Sequence, residues 1–150
     1  LARFKWCASV CGRNVYAVRG VQVGSGRANR TTKMILMHRE VKRLPRVRRR
    51  VGHREVDHRD GNGLNNQRRN LRVATRRLNN ANARKRTGTA SRFKGVGWDS
   101  TRERWVGSCS GKSLGRFDSE TAAARAYNRA ARKAFGRFAR LNTLKEGPSS

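Results

Sequence analysis

The middle of this chain is built without aromatic residues: none occurs between Tyr16 and Phe93. Phe, Tyr and Trp each bury a large area and dominate most cores. Any core formed by the first half must therefore be aliphatic, except at an edge that Phe4, Trp6 and Tyr16 could cover. With 150 residues and 35% hydrophobic content, two small units fit better than one large core. Short apolar runs separated by glycine turns, each set followed by one helical pattern, make the expected fold class α+β.

Charge sets the partner class. The chain carries 37 Lys plus Arg against 9 Asp plus Glu, a net charge of +28. Such a surface attracts nucleic acid through counterion release, with strong salt dependence and little sequence preference. An RNA-binding or ribosome-associated protein shares this property. An anionic membrane fits less well, because the basic residues are spread along the chain and not gathered on one amphipathic helix. No apolar run approaches transmembrane length and no secretory hydrophobic stretch is visible, so an intracellular protein is expected. The chain begins at Leu1 and not Met, so part of the natural N-terminus is expected to be missing. Cys7, Cys11 and Cys109 form no paired framework, and an odd count fits a reducing compartment. Cys7 and Cys11 with a histidine are a minor zinc alternative, lacking the second close pair that structural zinc sites show.

Phe4 to Val10 and Asn14 to Arg19 read as strands around Gly12-Arg13, with Trp6, Ala8 and Val10 alternating on one face. A third run, Lys33 to Met37, follows the loop Gly24-Ser25-Gly26. Together they predict a small antiparallel sheet. Val56 and its neighbours then end a short strand, and Asp60-Gly61 with Asn62-Gly63 supply positive-φ dipeptides for a tight reversal. Leu71 to Ala74 alternates like a returning strand. Thr75 is positioned to cap a helix over Arg76 to Ala83, with Asn79 about one turn in. Adjacent strand residues face opposite ways, so Asp57 and His58 share a site only if the backbone leaves the regular ladder there.

The chemistry of this stretch is that of phosphodiester cleavage. Carboxylate and amide oxygens are hard ligands suited to Mg2+ or Mn2+. A neutral imidazole, with an ordinary pKa of about 6.5, is available as a base at pH 7. An Asn- and Gly-rich turn beside one histidine is also common surface chemistry, and only the whole spaced set distinguishes the two.

That set, Val-Asp-His-Arg-Asp-Gly-Asn-Gly-Leu-Asn-Asn from Val56, then Asn-Leu-Arg-Val-Ala-Thr from Asn70, then Leu-Asn-Asn-Ala-Asn from Leu78, closely resembles the HNH (His-Asn-His) nucleases of the homing-endonuclease type. The match covers most of residues 37 to 83. The resemblance implies a beta-beta-alpha-metal fold, with His58 as general base, Asp57 and Asn79 as ligands of Mg2+ (or Mn2+), and Asn70 as the residue bracing the loop. Met37-His38-Arg39 resembles the family's short segment upstream of the catalytic strand, where a helix packs on the site. Glu40, Lys42 and Arg43 depart from its apolar character, and Arg46 to Arg50 is a basic run. His38 is open between touching phosphate and steadying the site; His53 reads as a solvated loop residue.

Arg84-Lys85-Arg86 and the small residues to Ser91 read as a basic linker able to track a phosphate backbone. Beyond it come three short strands around Phe93 to Trp98, Arg104 to Gly107 and Leu114 to Phe117, with turns at Asp99-Ser100 and Ser110-Gly111. Asp118 or Ser119 caps a helix running to Phe135 and closed by Gly136; Ala123, Tyr127, Ala130, Ala131 and Ala134 recur on one side of it. Phe-Lys-Gly-Val, Arg-Trp, Leu-Gly-Arg-Phe-Asp, Ala-Ala-Arg-Ala-Tyr-Asn and Ala-Arg-Leu-Asn, across residues 92 to 142, resemble the Apetala-two/ethylene-response-factor DNA-binding domain. The resemblance implies a three-stranded antiparallel sheet packed on one helix and entering the major groove, with Lys94, Arg102, Arg104 and Lys112 as matching contact positions. Trp105 is expected in the core; Trp98 is open between core and base contact.

The expected organisation is an HNH nuclease domain at 1–83, a basic linker at 84–91, a DNA-binding domain at 92–143 and a tail at 144–150. The expected function is a metal-dependent DNA endonuclease acting as a monomer on double-stranded DNA, with no small-molecule substrate and no membrane partner. The alternative is a non-catalytic DNA-binding regulator with a degenerate HNH domain.

Overall fold

The computed structural model describes residues 3–24, 30–44 and 54–144. His53, the Arg46 to Arg50 run and the Ser25-Gly26 part of the first loop lie outside the described residues. The protein is α+β, with small antiparallel sheets and short helices, and divides into two compact units, Leu1–Asn79 and Asn80–Ser150.

The first unit opens with a sheet of β1 (Cys7–Cys11), β2 (Asn14–Val23) and β3 (Thr31–Leu36), in that spatial order. Gly12 takes the positive φ the first hairpin needs. Helix α1 (Met37–Val41) follows β3 directly and packs on β2 and β3. Then come β4 (Glu55–His58), β5 (Leu71–Ala74) and α2 (Arg76–Asn82), the expected strand-strand-helix run, with the end of α2 from Asn80 falling in the second unit. Thr75 Oγ1 accepts the Leu78 N–H at 3.3 Å, capping α2. The expected face of Trp6, Ala8 and Val10 is not a core face: Val10 is 77% exposed, and Arg19 stacks over Phe4 at 4.0 Å. A sheet packed on one side only leaves the other alternating set in solvent.

Buried residues of this unit include apolar Val18, Val56, Leu71 and Ala74 but also His38, Asp57, His58 and Asn70. Burying polar groups costs free energy unless each finds a partner. Here the aliphatic core is too small to hold the site at its edge, and the site itself fills the interior.

The second unit has β6 (Val96–Asp99), β7 (Arg104–Cys109) and β8 (Lys112–Phe117) in sequential order, crossed by α3 (Glu120–Phe135) and a 3-10 turn at Gly136–Phe138. Ser110 and Gly111 both have positive φ, the geometry of a two-residue hairpin turn. Ser119, rather than Asp118, caps α3: its Oγ accepts the Ala122 N–H at 3.1 Å. Ala123, Ala124, Tyr127 and Ala131 are buried against Phe93, Val96, Cys109, Trp105 and Phe117, whereas Ala134 is exposed. Trp105 is half-buried on this core, and Trp98 packs edge-on to it at 5.0 Å while staying 44% exposed. The segment expected as a free linker ends inside the unit: Ser91 is buried, donating from its hydroxyl to Glu120 Oε1 at 2.7 Å and accepting the Phe93 N–H at 2.9 Å.

Candidate functional site

The loop between β4 and β5 is held by carboxamides. Asn70 Oδ1 accepts the Asp60 N–H at 3.2 Å, and its Nδ2 donates to Asp60 Oδ1 at 3.0 Å and to the Asn65 carbonyl at 2.8 Å. Asp60 also accepts the Asn62 N–H at 2.8 Å and Asn65 Nδ2 at 2.7 Å. Desolvation would raise the Asp60 carboxyl, but these bonds outweigh it and hold the group below its ordinary range. Gly61 has the expected positive φ; Gly63 does not. Gly63 is instead needed for close approach, since a Cβ there would sit 2.3 Å from the Val15 carbonyl oxygen and 2.6 Å from the Tyr16 ring. The turn is thereby pressed onto β2.

His58, the last residue of β4, meets Asn66 Oδ1 through Nε2 at 3.2 Å. Asn66 Nδ2 donates to the Leu64 carbonyl at 3.1 Å, which fixes the amide orientation. Nε2 therefore carries the proton and Nδ1 is the basic nitrogen. Burial lowers the His58 pKa; the Asn66 bond and the Asp60 and Asp57 charges oppose it without reversing it. The ring is thus neutral at pH 7, the form that accepts a proton. Its centroid lies 5.1 Å from His38 and 6.0 Å from Tyr16. His38 is 6% exposed, and its Nδ1 has no hydrogen-bond partner among the described residues. Desolvation, then His58 and Arg39, push its pKa down to about 4. Helix α1 is tied nearby by polar contacts: Glu40 pairs with Arg19 at 3.5 Å, and Lys42 Nζ donates to the Arg68 carbonyl at 3.2 Å.

Asp57 lies on the opposite side of β4. The ladder is regular from Glu55↔Ala74 to His58↔Leu71, so the expected departure of the backbone at Asp57-His58 does not occur. Strand alternation sends Glu55 and Asp57 to one face and His58 to the other. Arg72, paired across from Asp57, donates Nε to Asp57 Oδ2 at 2.9 Å, and its Nη2 makes a still closer ion pair. Asn79 reaches the same face, its Nδ2 donating to Glu55 Oε2 at 2.6 Å. Asp57 and Asn79 thus share a side through Glu55, while Asn70 braces the loop and His58 stands behind the strand.

Among the described residues no three His, Cys, Asp or Glu side chains cluster to hold a metal ion. Mg2+ does not require such a cage, since it keeps waters and borrows oxygens from its substrate. The oxygen donors Asp57, Asn79 and Glu55 are of the kind Mg2+ takes, and the Arg72 guanidinium occupies the position against Asp57. Cys7 and Cys11 stand at opposite ends of β1, roughly 13 Å apart at strand spacing. That is too far to share one ion.

In the second unit, Trp105 and Phe117 pair on the core side, so Arg104, Val106 and Arg116 face outward. A Cβ at Gly97 would meet nothing within 4 Å, so this outer face is open there. Asp99 organises it, accepting Arg116 Nε at 3.0 Å and pairing with Arg102 at 3.7 Å; Arg116 above all holds its carboxyl below the usual range. Arg104 pairs with Asp118, and Lys112 is exposed at the hairpin. Arg84 and Arg86 are exposed, and Lys85 bonds Thr89. Lys94 is placed differently from the others: its Nζ donates to the carbonyls of Asn80 (3.3 Å), Ala81 (2.6 Å) and Ala83 (2.7 Å). Its three protons are spent inside the unit.

The chain matches no family model, no curated protein and no solved structure. The resemblances rest on the motif residues themselves. Sequence reasoning assigned no role to Glu55, Arg72, Asn66 or Arg116, and placed Tyr16 only at the edge of the core. Two-residue spacing from Asp57 pointed to Glu55, and the β4–β5 register pointed to Arg72; the ring contacts of Tyr16 had no local signal.

Proposed function

We propose that the protein is a metal-dependent DNA endonuclease of the HNH homing type, cutting with its first unit and holding duplex with its second. The observation that carries this reading is His58: buried, neutral, and fixed by Asn66 in the tautomer whose Nδ1 can take a proton, one residue from an oxygen-rich face. In this reading the end of β4 leaves its regular pairing when substrate binds, so that His58 reaches the water beside the Asp57 face and removes its proton. Asp57 and Asn79 would hold Mg2+ or Mn2+, which would polarise the scissile phosphate and steady the leaving oxygen. Asn70 keeps the loop in register, and the Tyr16 and His38 rings lie against the imidazole and help bury it. For Asp57 to hold an ion, Arg72 would have to give up its pairing with that carboxylate. Arg102, Arg104, Arg116 and Lys112 hold backbone phosphates along the outer sheet face.

Plasmid nicking in Mg2+, with an EDTA control, tests it. Wild type should nick and His58→Ala should lose at least about a hundredfold in rate; equal nicking by both would remove the assignment. One observation favours the second reading, a non-catalytic DNA-binding protein: Arg72 already neutralises Asp57. That reading expects duplex binding with no Mg2+-dependent nicking. Among the described residues no helix is long and apolar enough to cross a membrane.

A further inference from the structure

We propose that a basic cleft in the second unit, lined by Arg84, Lys85, Arg92, Lys94 and Arg140, is a separate phosphate site that grips a phosphodiester of the DNA backbone. It rests on the duplex-binding reading of this unit and adds a second surface to the outer face of the sheet.

The cleft encloses about 410 Å3. Its lining carries five cationic side chains and no carboxylate, and Glu120 reaches one of them, Arg92, at 3.8 Å. Cations gathered without balancing acids raise the free energy of the unbound protein, and an anion in their midst lowers it. The cost is visible at Lys94, whose pKa is pushed down to about 8 by desolvation first and Arg140 second.

The floor is rigid. Asn142 clamps the backbone of Lys94 from both sides, accepting its N–H at 2.7 Å and donating to its carbonyl at 3.0 Å. Asn128 clamps Asn142 in the same two-way manner, at 2.7 and 2.9 Å. Lys94 Nζ and Arg140 Nε are held by carbonyls of residues 80 to 83, so these two supply field from fixed positions. Arg84 and Arg92, the exposed members, supply the hydrogen bonds. A preformed floor with a cationic rim loses little entropy on closing around a phosphate. The same arrangement would be a poor site for a cationic ligand.

The test is the salt dependence of binding of a short mixed-sequence duplex to the full chain, without divalent cations. Arg84→Gln with Arg92→Gln is compared with Arg125→Gln plus Arg129→Gln, which removes equal charge from the exposed side of α3. The cleft variant should show a log–log salt slope shallower by about one, the loss of one phosphate contact. The α3 variant should keep the wild-type slope. In parallel, amide NMR signals of Lys94 and residues 141 to 143 should move when duplex is added. Equal slopes for the two variants, or cleft signals that stay still while those of β7 and β8 move, would overturn the cleft and leave duplex binding standing. Absence of any duplex binding by the wild type would overturn both.

Discussion

Asn70→Asp tests whether carboxamide bracing, rather than apolar packing, holds the loop that positions His58. Asn70 is 8% exposed and its side chain makes three hydrogen bonds, two of them donated by Nδ2. Removing all three with Asn70→Ala should cost about 3 kcal/mol, near 1 kcal/mol for each bond. Asn70→Asp keeps the shape and the acceptor for the Asp60 N–H but converts the donor into an oxygen. About 2 kcal/mol of hydrogen bonding goes, and a second carboxylate faces Asp60. Asp60 is solvent-exposed, so screening limits the repulsion to about 1 kcal/mol. At pH 7 the two variants should therefore be similarly destabilised.

Acid separates them. Two carboxylates at this distance share a proton, so the pair's pKa rises above the unfolded value. The folded variant then binds a proton the unfolded chain does not, and stability is regained as pH falls through the raised pKa. Asn70→Asp should gain about 1 to 2 kcal/mol on Asn70→Ala between pH 7 and pH 4. Wild type moves the other way: its depressed Asp60 carboxyl contributes stability above the unfolded pKa, and this is lost as pH falls toward the folded value. The assay is urea unfolding followed through β4 and β5 amide signals. Parallel pH profiles for the two variants would refute the bracing role.

Gly63→Ala should destabilise the first unit by about 2 to 3 kcal/mol, because its Cβ would overlap Val15 and Tyr16, whereas Gly97→Ala, opening into free space, should stay within about 0.5 kcal/mol; thermal unfolding checks both. His38, with a folded pKa of about 4, should make stability fall as pH drops from 6.5 toward 4, by on the order of 2 kcal/mol, and His38→Leu should reduce that slope, leaving the part due to His58. Arg72→Ala should cost about 3 kcal/mol by removing the guanidinium that pairs with buried Asp57. Millimolar Mn2+ should restore much of this loss in calorimetry, and indifference to Mn2+ would count against a cation site at Asp57.

Local chemistry was legible in the amino-acid string. The caps at Thr75 and Ser119, the hairpin at Ser110-Gly111 and the strand-strand-helix order around His58 depend on a few neighbouring backbone angles, and those angles are set by residue type. Partnerships across the fold were not. Whether Val10 meets core or water depends on which face of the sheet is covered, and α1 packs its His38 on Tyr16, on the other face. Asp57 and His58 part to opposite faces because the ladder stays regular, a property of the β4–β5 pairing and not of either residue. Lys94 looked like a DNA contact by position, yet carbonyls far along the chain from it absorb all three of its protons. Composition and motif order therefore determined the elements and the kind of chemistry on offer, since both are short-range or additive. Tertiary packing alone decided which charges are spent inside the protein and which are left for a ligand, because a side chain has a limited number of hydrogen bonds and the nearest folded partner claims them first.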